Sequence, residues 1–154
     1  DVRFIQYFQA DQIRGWTGGY DSTPNPGRRV LARAMHDPAA AAINPTNNGP
    51  VGSVIIASDG SQAAFVPARR AMTWQITDQS GTGVVRERFW LTFQPGEVRV
   101  CASCHGVNTR DQAQHSAPVN PPQALLNLLQ RWKTVYEQEQ IPKSPRAYLP
   151  LATR

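Results

Sequence analysis

Residues 51–67 read VGSVIIASDGSQAAFVP, and they decide the fold because the hydrophobic pattern turns here to period two. VGSVIIA and QAAFVP flank SDGS as the arms of a β-hairpin, and Asp59-Gly60 supplies the positive φ that a tight turn needs. Further along, MTWQIT (72–77) alternates, with Met72, Trp74 and Ile76 on one side. In VVRERFWLTF (84–93), Val85 and later Phe89, Leu91 and Phe93 alternate with polar partners. Pro95-Gly96 suits the middle of a type II turn, and EVRV (97–100) is a short last strand that runs into Cys101. Short strands separated by regular turn signals predict a small antiparallel β-sandwich over 51–119.

The flanks read differently. Residues 1–50 are expected to form an N-terminal extension of helix and loop. In VRFIQYFQADQIRGW (2–16), Phe4, Ile5, Phe8 and Ile13 fall near one helical face, with Val2, Tyr7 and Trp16 off it; an entering strand is the competing reading. TGGYDSTPNPG (17–27) is turn-rich, and RRVLARAMH (28–36) holds helix formers that stop at Asp37-Pro38. INPTNNGP (43–50) is again loop. Residues 120–140 predict an amphipathic helix, with Asn120 as its cap and Pro121 at the first helical position. Leu125, Leu128, Leu129, Trp132, Val135 and Tyr136 then recur at helical spacing. The Pro-rich tail, 141–154, is expected to run extended over the surface. The predicted class is therefore α+β: a small antiparallel sandwich, a cysteine-bearing loop and a C-terminal helix.

The chain has 154 residues, enough to bury one core. Its net charge of +5 comes mainly from arginines such as Arg28, Arg29, Arg69, Arg70, Arg86, Arg88 and Arg99. They are scattered rather than clustered, which weighs against a nucleic-acid partner. No window approaches the roughly 20 apolar residues of a membrane span. The opening DVRF, without an initiating Met, reads as a processed or excised piece of something longer.

Both cysteines of the chain lie in RVCASCHGVN (99–108), spaced C-x-x-C-H as Cys101, Cys104 and His105. Covalent haem attachment needs two thiols that reach the two vinyl groups on one porphyrin edge and an imidazole close enough in sequence to reach the iron. Ala102 and Ser103 are small enough to leave the ring unblocked. A zinc site would need four ligands, and only His36 and His115 remain to complete it, with no spacing signature. A redox dithiol would normally open a helix in a βαβ setting, and GVNTRDQAQHSAP is not a helix. One covalent haem c is the leading expectation, with a zinc or thiol site as the alternative. Attachment of that group takes place outside the cytoplasm, so the expected location is periplasmic or extracellular. The scattered arginines acquire a possible use as partners of acidic haem propionates, although a solvated surface role is the blander reading for any single one.

Residues 52–106 resemble a segment of large secreted bacterial proteins related to the hydrazine synthase alpha subunit. The resemblance rests on Val66-Pro67-Ala68, Trp74-Gln75, Arg88-Phe89-Trp90, Gln94-Pro95-Gly96-Glu97 and Cys101–His105, in that order. It implies a haem-bearing domain with Cys101 and Cys104 as thioether positions and His105 as the proximal iron ligand. It does not imply hydrazine synthesis by this chain.

The far side of the iron decides between electron transfer and catalysis. His36, at the end of a predicted helix, is the favoured distal candidate; His115 and Met72 are alternatives, and Met72, like Met35, also reads as core. Trp74, Phe89, Trp90 and Trp132 read as core or pocket walls. The expected function is a monohaem c-type cytochrome domain that passes electrons to redox partner proteins, within a larger assembly. The alternatives are a structural or interaction subunit with the haem as relay, and an open catalytic haem. No acid–base constellation supports the last.

Overall fold

A computed structural model describes residues 1–15, 28–101, 110, 114, 116–138 and 150–152. The loop expected over 17–27 with Trp16, the residues Cys104, His105 and His115, and most of the tail lie outside the described residues. An antiparallel six-stranded sheet is built from β1 (Val2–Gly15), β2 (Arg28–Ala34), β3 (Ser53–Ile55), β5 (Ala71–Asp78), β6 (Gly83–Arg86) and β7 (Leu91–Thr92). A second sheet joins β4 (Ala63–Phe65), β9 (Pro150–Ala152) and β8 (Arg99–Val100), the β8–β9 pair being parallel. Two helices lie among the described residues, α1 (Pro38–Ile43) and α2 (Gln123–Glu137). The α+β class and the helix that follows the sheet match the sequence expectation.

The N-terminal stretch does not form a helix. Residues 2–15 are the longest strand of the sheet, and 28–34 pair with it as β2. The helical spacing misleads because β1 is covered on both faces: Phe4, Ile5 and Tyr7 are all buried, so apolar residues occur consecutively rather than in alternation. Aromatic and β-branched side chains suit that pleated, two-sided position. Asp37-Pro38 begins α1 rather than ending a helix. The Asp37 carboxylate accepts from the N–H groups of Ala39 (3.1 Å) and Ala40 (3.0 Å), and Pro38 fills the first turn, where its missing N–H costs nothing.

β1 offers one edge to β5 along most of its length and shares the other between β3 and β2. The changeover falls at Tyr7, whose N–H donates to the Gly52 carbonyl (3.0 Å) while its own carbonyl accepts from Met35 N–H (2.8 Å). Gly52 has φ +75°, and a Cβ there would sit 2.7 Å from the Met35 backbone nitrogen. Only glycine allows β2 and β3 to converge so closely on β1.

The 51–67 hairpin forms its turn but not its ladder. Gly60 N–H donates to the Ala57 carbonyl (2.9 Å), and Ala57 N–H to that of Ser61 (2.9 Å). Beyond that tip the arms part: β3 joins β1, and β4 joins β9. Asn44 takes a place beside β4 that a strand would otherwise fill, its amide bonding both Phe65 N–H (2.8 Å) and the Phe65 carbonyl (2.9 Å). All three residues of β4 are buried. Ala64 faces a core under the large sheet with Ile5, Tyr7, Val54 and Met72; Ala63 and Phe65 face a second core with Ile43, Ala124 and Leu128. β4 is thus a middle layer between sheet and helix.

The start of α2 is held by that same turn. Asn120 does not cap it; the helix begins at Gln123, after Pro122. Asp59 accepts from Gln123 N–H (2.9 Å), and the Ser61 hydroxyl oxygen accepts from Ala124 N–H (3.0 Å). Only part of the predicted apolar stripe is covered, with Leu128 and Val135 buried and Trp132 stacked on Tyr136 at the surface. Within the tail, Pro150–Ala152 is a strand paired with β4 on one edge and β8 on the other.

Gly52→Ala should destabilise the fold by about 3 kcal/mol, through left-handed strain plus backbone collision. Gly60→Ala, at φ +80° with open space around it, should cost only about 1 kcal/mol; urea unfolding measures both. For Asp59, partial burial raises the carboxyl, but hydrogen bonds from the Ser61 hydroxyl and the Gln123 and Ser61 N–H groups outweigh it and hold it below its ordinary 3.8. The unfolded chain therefore binds that proton first, so the stability Asp59 contributes is present above pH 3.8 and lost as pH falls through the depressed value. Asp59→Asn should lose about 1 kcal/mol at neutral pH and show a shallower acid-side fall in Tm than the parent.

Candidate functional site

The site is built from the turn that precedes Cys101. Glu97 N–H donates to the Gln94 carbonyl (3.1 Å) and Gly96 has φ +80°, as the predicted type II turn requires. The Glu97 carboxylate accepts from Gln94 N–H (2.7 Å) and pairs with Arg99. The bond from Gln94 is the main reason its carboxyl lies below the usual range, with Arg99 adding to it against slight desolvation. Arg99 in turn lies 4.9 Å over the ring of buried Phe93. The chain therefore enters Cys101 from a clamped turn and a paired strand.

Cys101 itself is half-buried. It packs, with Trp74 and Leu91, against the apolar cluster of Ile5, Tyr7, Met35 and Met72. Tyr7 is fully buried, donates its hydroxyl to Gln62 Oε1 and lies 6.1 Å, centroid to centroid, from Trp74. Burial pushes its phenol well above the usual tyrosine value; the charge of Cys101 as thiolate adds to the rise, and the bond with Gln62 opposes it.

The other predicted residues separate. Met72 is fully buried inside the apolar cluster. His36 follows a strand, so the reason for favouring it, a helix C-terminus, does not hold. Its Nδ1 lies 2.9 Å from the Ala34 carbonyl and its Nε2 3.5 Å from the Asp11 carboxylate, at the bulge of β1. Cys104, His105 and His115 lie outside the described residues. Among the described residues, no three His, Cys, Asp or Glu side chains gather as a metal-holding group. No helix among them is long and apolar enough to cross a membrane.

Phe89, Trp90 and Trp132 are not core. Phe89 is 71% exposed and Trp90 40%. VVRERFWLTF is two strands rather than one, because Glu87 Oε1 accepts from the N–H groups of Arg88 (2.7 Å) and Phe89 (3.0 Å) and turns the chain out of the sheet. An open cleft of about 540 Å³ beside that turn is lined by Thr73, Arg86, Glu87, Arg88 and Trp90. Sequence reading passed over it, since its arginines looked like scattered surface charge; their i, i+2 spacing beside aromatics was the available signal.

Fold and site together define an α+β domain whose sheet hands its chain, through a fixed turn, to a cysteine resting on the core. The chain belongs to the hydrazine synthase alpha subunit middle domain family, whose model matches residues 8–106. That match extends the resemblance read over 52–106 back through β2 and α1 and ends one residue past His105. No curated protein and no solved structure matches the chain.

Tyr7 gives a test of how closed this wall is. The unfolded chain releases the phenolic proton near 10.0 and the folded protein keeps it, so stability falls as pH rises above that value. Absorbance at 295 nm should show a tyrosine that ionises only as the protein unfolds, and Tyr7→Phe should remove that step.

Proposed function

We propose that this chain is a monohaem c-type cytochrome domain that carries electrons within a larger extracytoplasmic assembly. In this reading Cys101 and Cys104 form the thioether links, and His105 is the proximal ligand. The observation that carries it is the placement of Cys101. A thiol that anchors a flat apolar macrocycle has to stand at the edge of an apolar wall on rigid backbone. Cys101 follows the paired strand β8 and lies against the cluster that Trp74 and Leu91 border. The donor set fits the group: two thiols and an imidazole in five residues, with no further cysteine for a second site. When bound, haem c supplies one-electron redox chemistry.

The chain's own residues do the rest. Glu97 and Arg99 fix the approach to Cys101, and Trp74 and Leu91 border the same apolar cluster on which it rests. Tyr7, held neutral by burial, adds no charge beside the group. For the distal position, Met72 is enclosed by the core, and both His36 ring nitrogens face partners of their own. This favours His115.

A pyridine haemochrome assay on the chain, produced with a haem c maturation system, should give a c-type band and a mass increased by one haem. Loss of both is expected when Cys101 and Cys104 are replaced together by Ala. A chain matured without covalent haem would overturn the reading and leave zinc or thiol chemistry. His115→Ala should convert a low-spin ferric spectrum to high-spin, and His36→Ala should leave it low-spin; the reverse outcome assigns His36.

A further inference from the structure

We propose that the outer edge of β6 and the arginine-lined cleft beside it receive an extended acidic segment of a partner chain, added to the sheet as a further strand. β6 ends the strand order β2-β1-β5-β6, and no strand pairs with its outer edge among the described residues. All four of its residues are exposed, with Val84 at 56% and Val85 at 60%. Val84 and Val85 are adjacent and exposed on this uncovered edge, with Val84 set out of the β5–β6 register as an extra residue. Main-chain N–H and C=O groups along such an edge are a ready template for an extended peptide.

The cleft defines what that peptide carries. Of its five lining residues, two have their polar groups committed within the domain. The Thr73 hydroxyl donates to the Glu87 carbonyl (3.1 Å), and the Glu87 carboxylate is turned back onto the N–H groups of Arg88 and Phe89. Arg86 and Arg88 remain, and neither forms an ion pair among the described residues. Arg86 is already positioned, its guanidinium 5.4 Å over the ring of Phe8. Arginine binds carboxylates through two parallel hydrogen bonds, so the complementary groups are carboxylates.

Arg86 ends β6 and Arg88 follows the turn made by Glu87, yet the two line one cleft. In an extended peptide alternate side chains share a face, so acidic residues at positions i and i+2 would meet the two arginines. The intervening apolar side chains would then fall on the face of Val85, while Trp90 offers its exposed ring at the cleft's end.

The test is a titration of the ¹⁵N-labelled full chain with the peptide acetyl-Val-Glu-Val-Glu-Val-Thr-amide at low ionic strength. Its counterpart with Lys in place of both Glu residues and free succinate are the comparison arms. Shifts confined to the amides of 83–90 and their β5 neighbours are expected, and R86Q/R88Q should weaken binding about tenfold with an unchanged circular dichroism spectrum. R86E/R88E should exchange the preference, so that the Lys peptide binds better than the Glu peptide. Absence of binding, equal affinity for the Glu and Lys peptides, or unaltered affinity in R86Q/R88Q would each overturn the proposal. So would succinate binding as tightly as the peptide, which would reduce the cleft to a small-anion site.

Discussion

Every other strand of the large sheet is placed, directly or through β5, by β1, and β1 can serve its neighbours only because two of them meet on one edge at Tyr7. The Tyr7 N–H and carbonyl are divided between Gly52 and Met35, and a side chain at position 52 would collide with the Met35 backbone. Loss of that junction would separate β2 from β3 and open the cluster in which Tyr7, Met35 and Val54 pack together. The same tyrosine stands beside Cys101, so the backbone constraint that closes the sheet also sets the wall on which the site rests. Architecture and site depend on one residue's two hydrogen bonds.

From that junction, order passes outward through turns whose side chains bond beyond their own loop. Asp59 and Ser61 close a turn and also bind the first N–H groups of α2, which couples the helix to the sheet without a dedicated cap. Glu97 closes the turn before β8 and holds Arg99, which stacks on Phe93 in the core. Short polar side chains achieve this because they offer several acceptor sites at fixed distance from the backbone. Each such turn orders two elements at the entropic cost of one loop.

Local signals that depend on a few adjacent residues were legible in the sequence. The Asp59-Gly60 and Pro95-Gly96 turns, strand β5 and the C-terminal helix all form, although β5 buries Thr73 and Thr77 on one face as well as Met72 on the other, so its burial does not alternate. What failed was periodicity where burial is two-sided. β1 shows consecutive apolar residues because both its faces are covered, and that pattern imitates a helix over a short window. The partners of the 57–61 turn were equally hidden, since β4 pairs with a strand some ninety residues away in sequence, a contact that no local rule reaches. Asp37-Pro38 was legible and misread: an N-cap followed by proline begins a helix more naturally than it ends one. For the proposed site, the C-x-x-C-H spacing raised the haem c expectation, but the apolar cluster against which Cys101 packs draws Ile5 and Tyr7 from β1, Met35 from just after β2 and Met72 from β5, which only the folded chain assembles.

The two sites proposed for this domain use opposite faces of one sheet. Met72 belongs to the cluster against which Cys101 and Trp74 pack, whereas Thr73, its neighbour on β5, lines the arginine cleft. Successive side chains of a strand point to opposite faces, so β5 separates the haem side from the docking side. A partner strand seated on β6 would lengthen the sheet, with its acidic side chains on the cleft face and its apolar ones on the face of Val85, which pairs with Ile76. In the proposed reading, one surface would secure the domain in an assembly and another would exchange electrons. The opposed faces also explain why the arginines are better placed for a partner's carboxylates than for haem propionates: Arg86 and Arg88 lie across the sheet from the cysteine that would hold the haem.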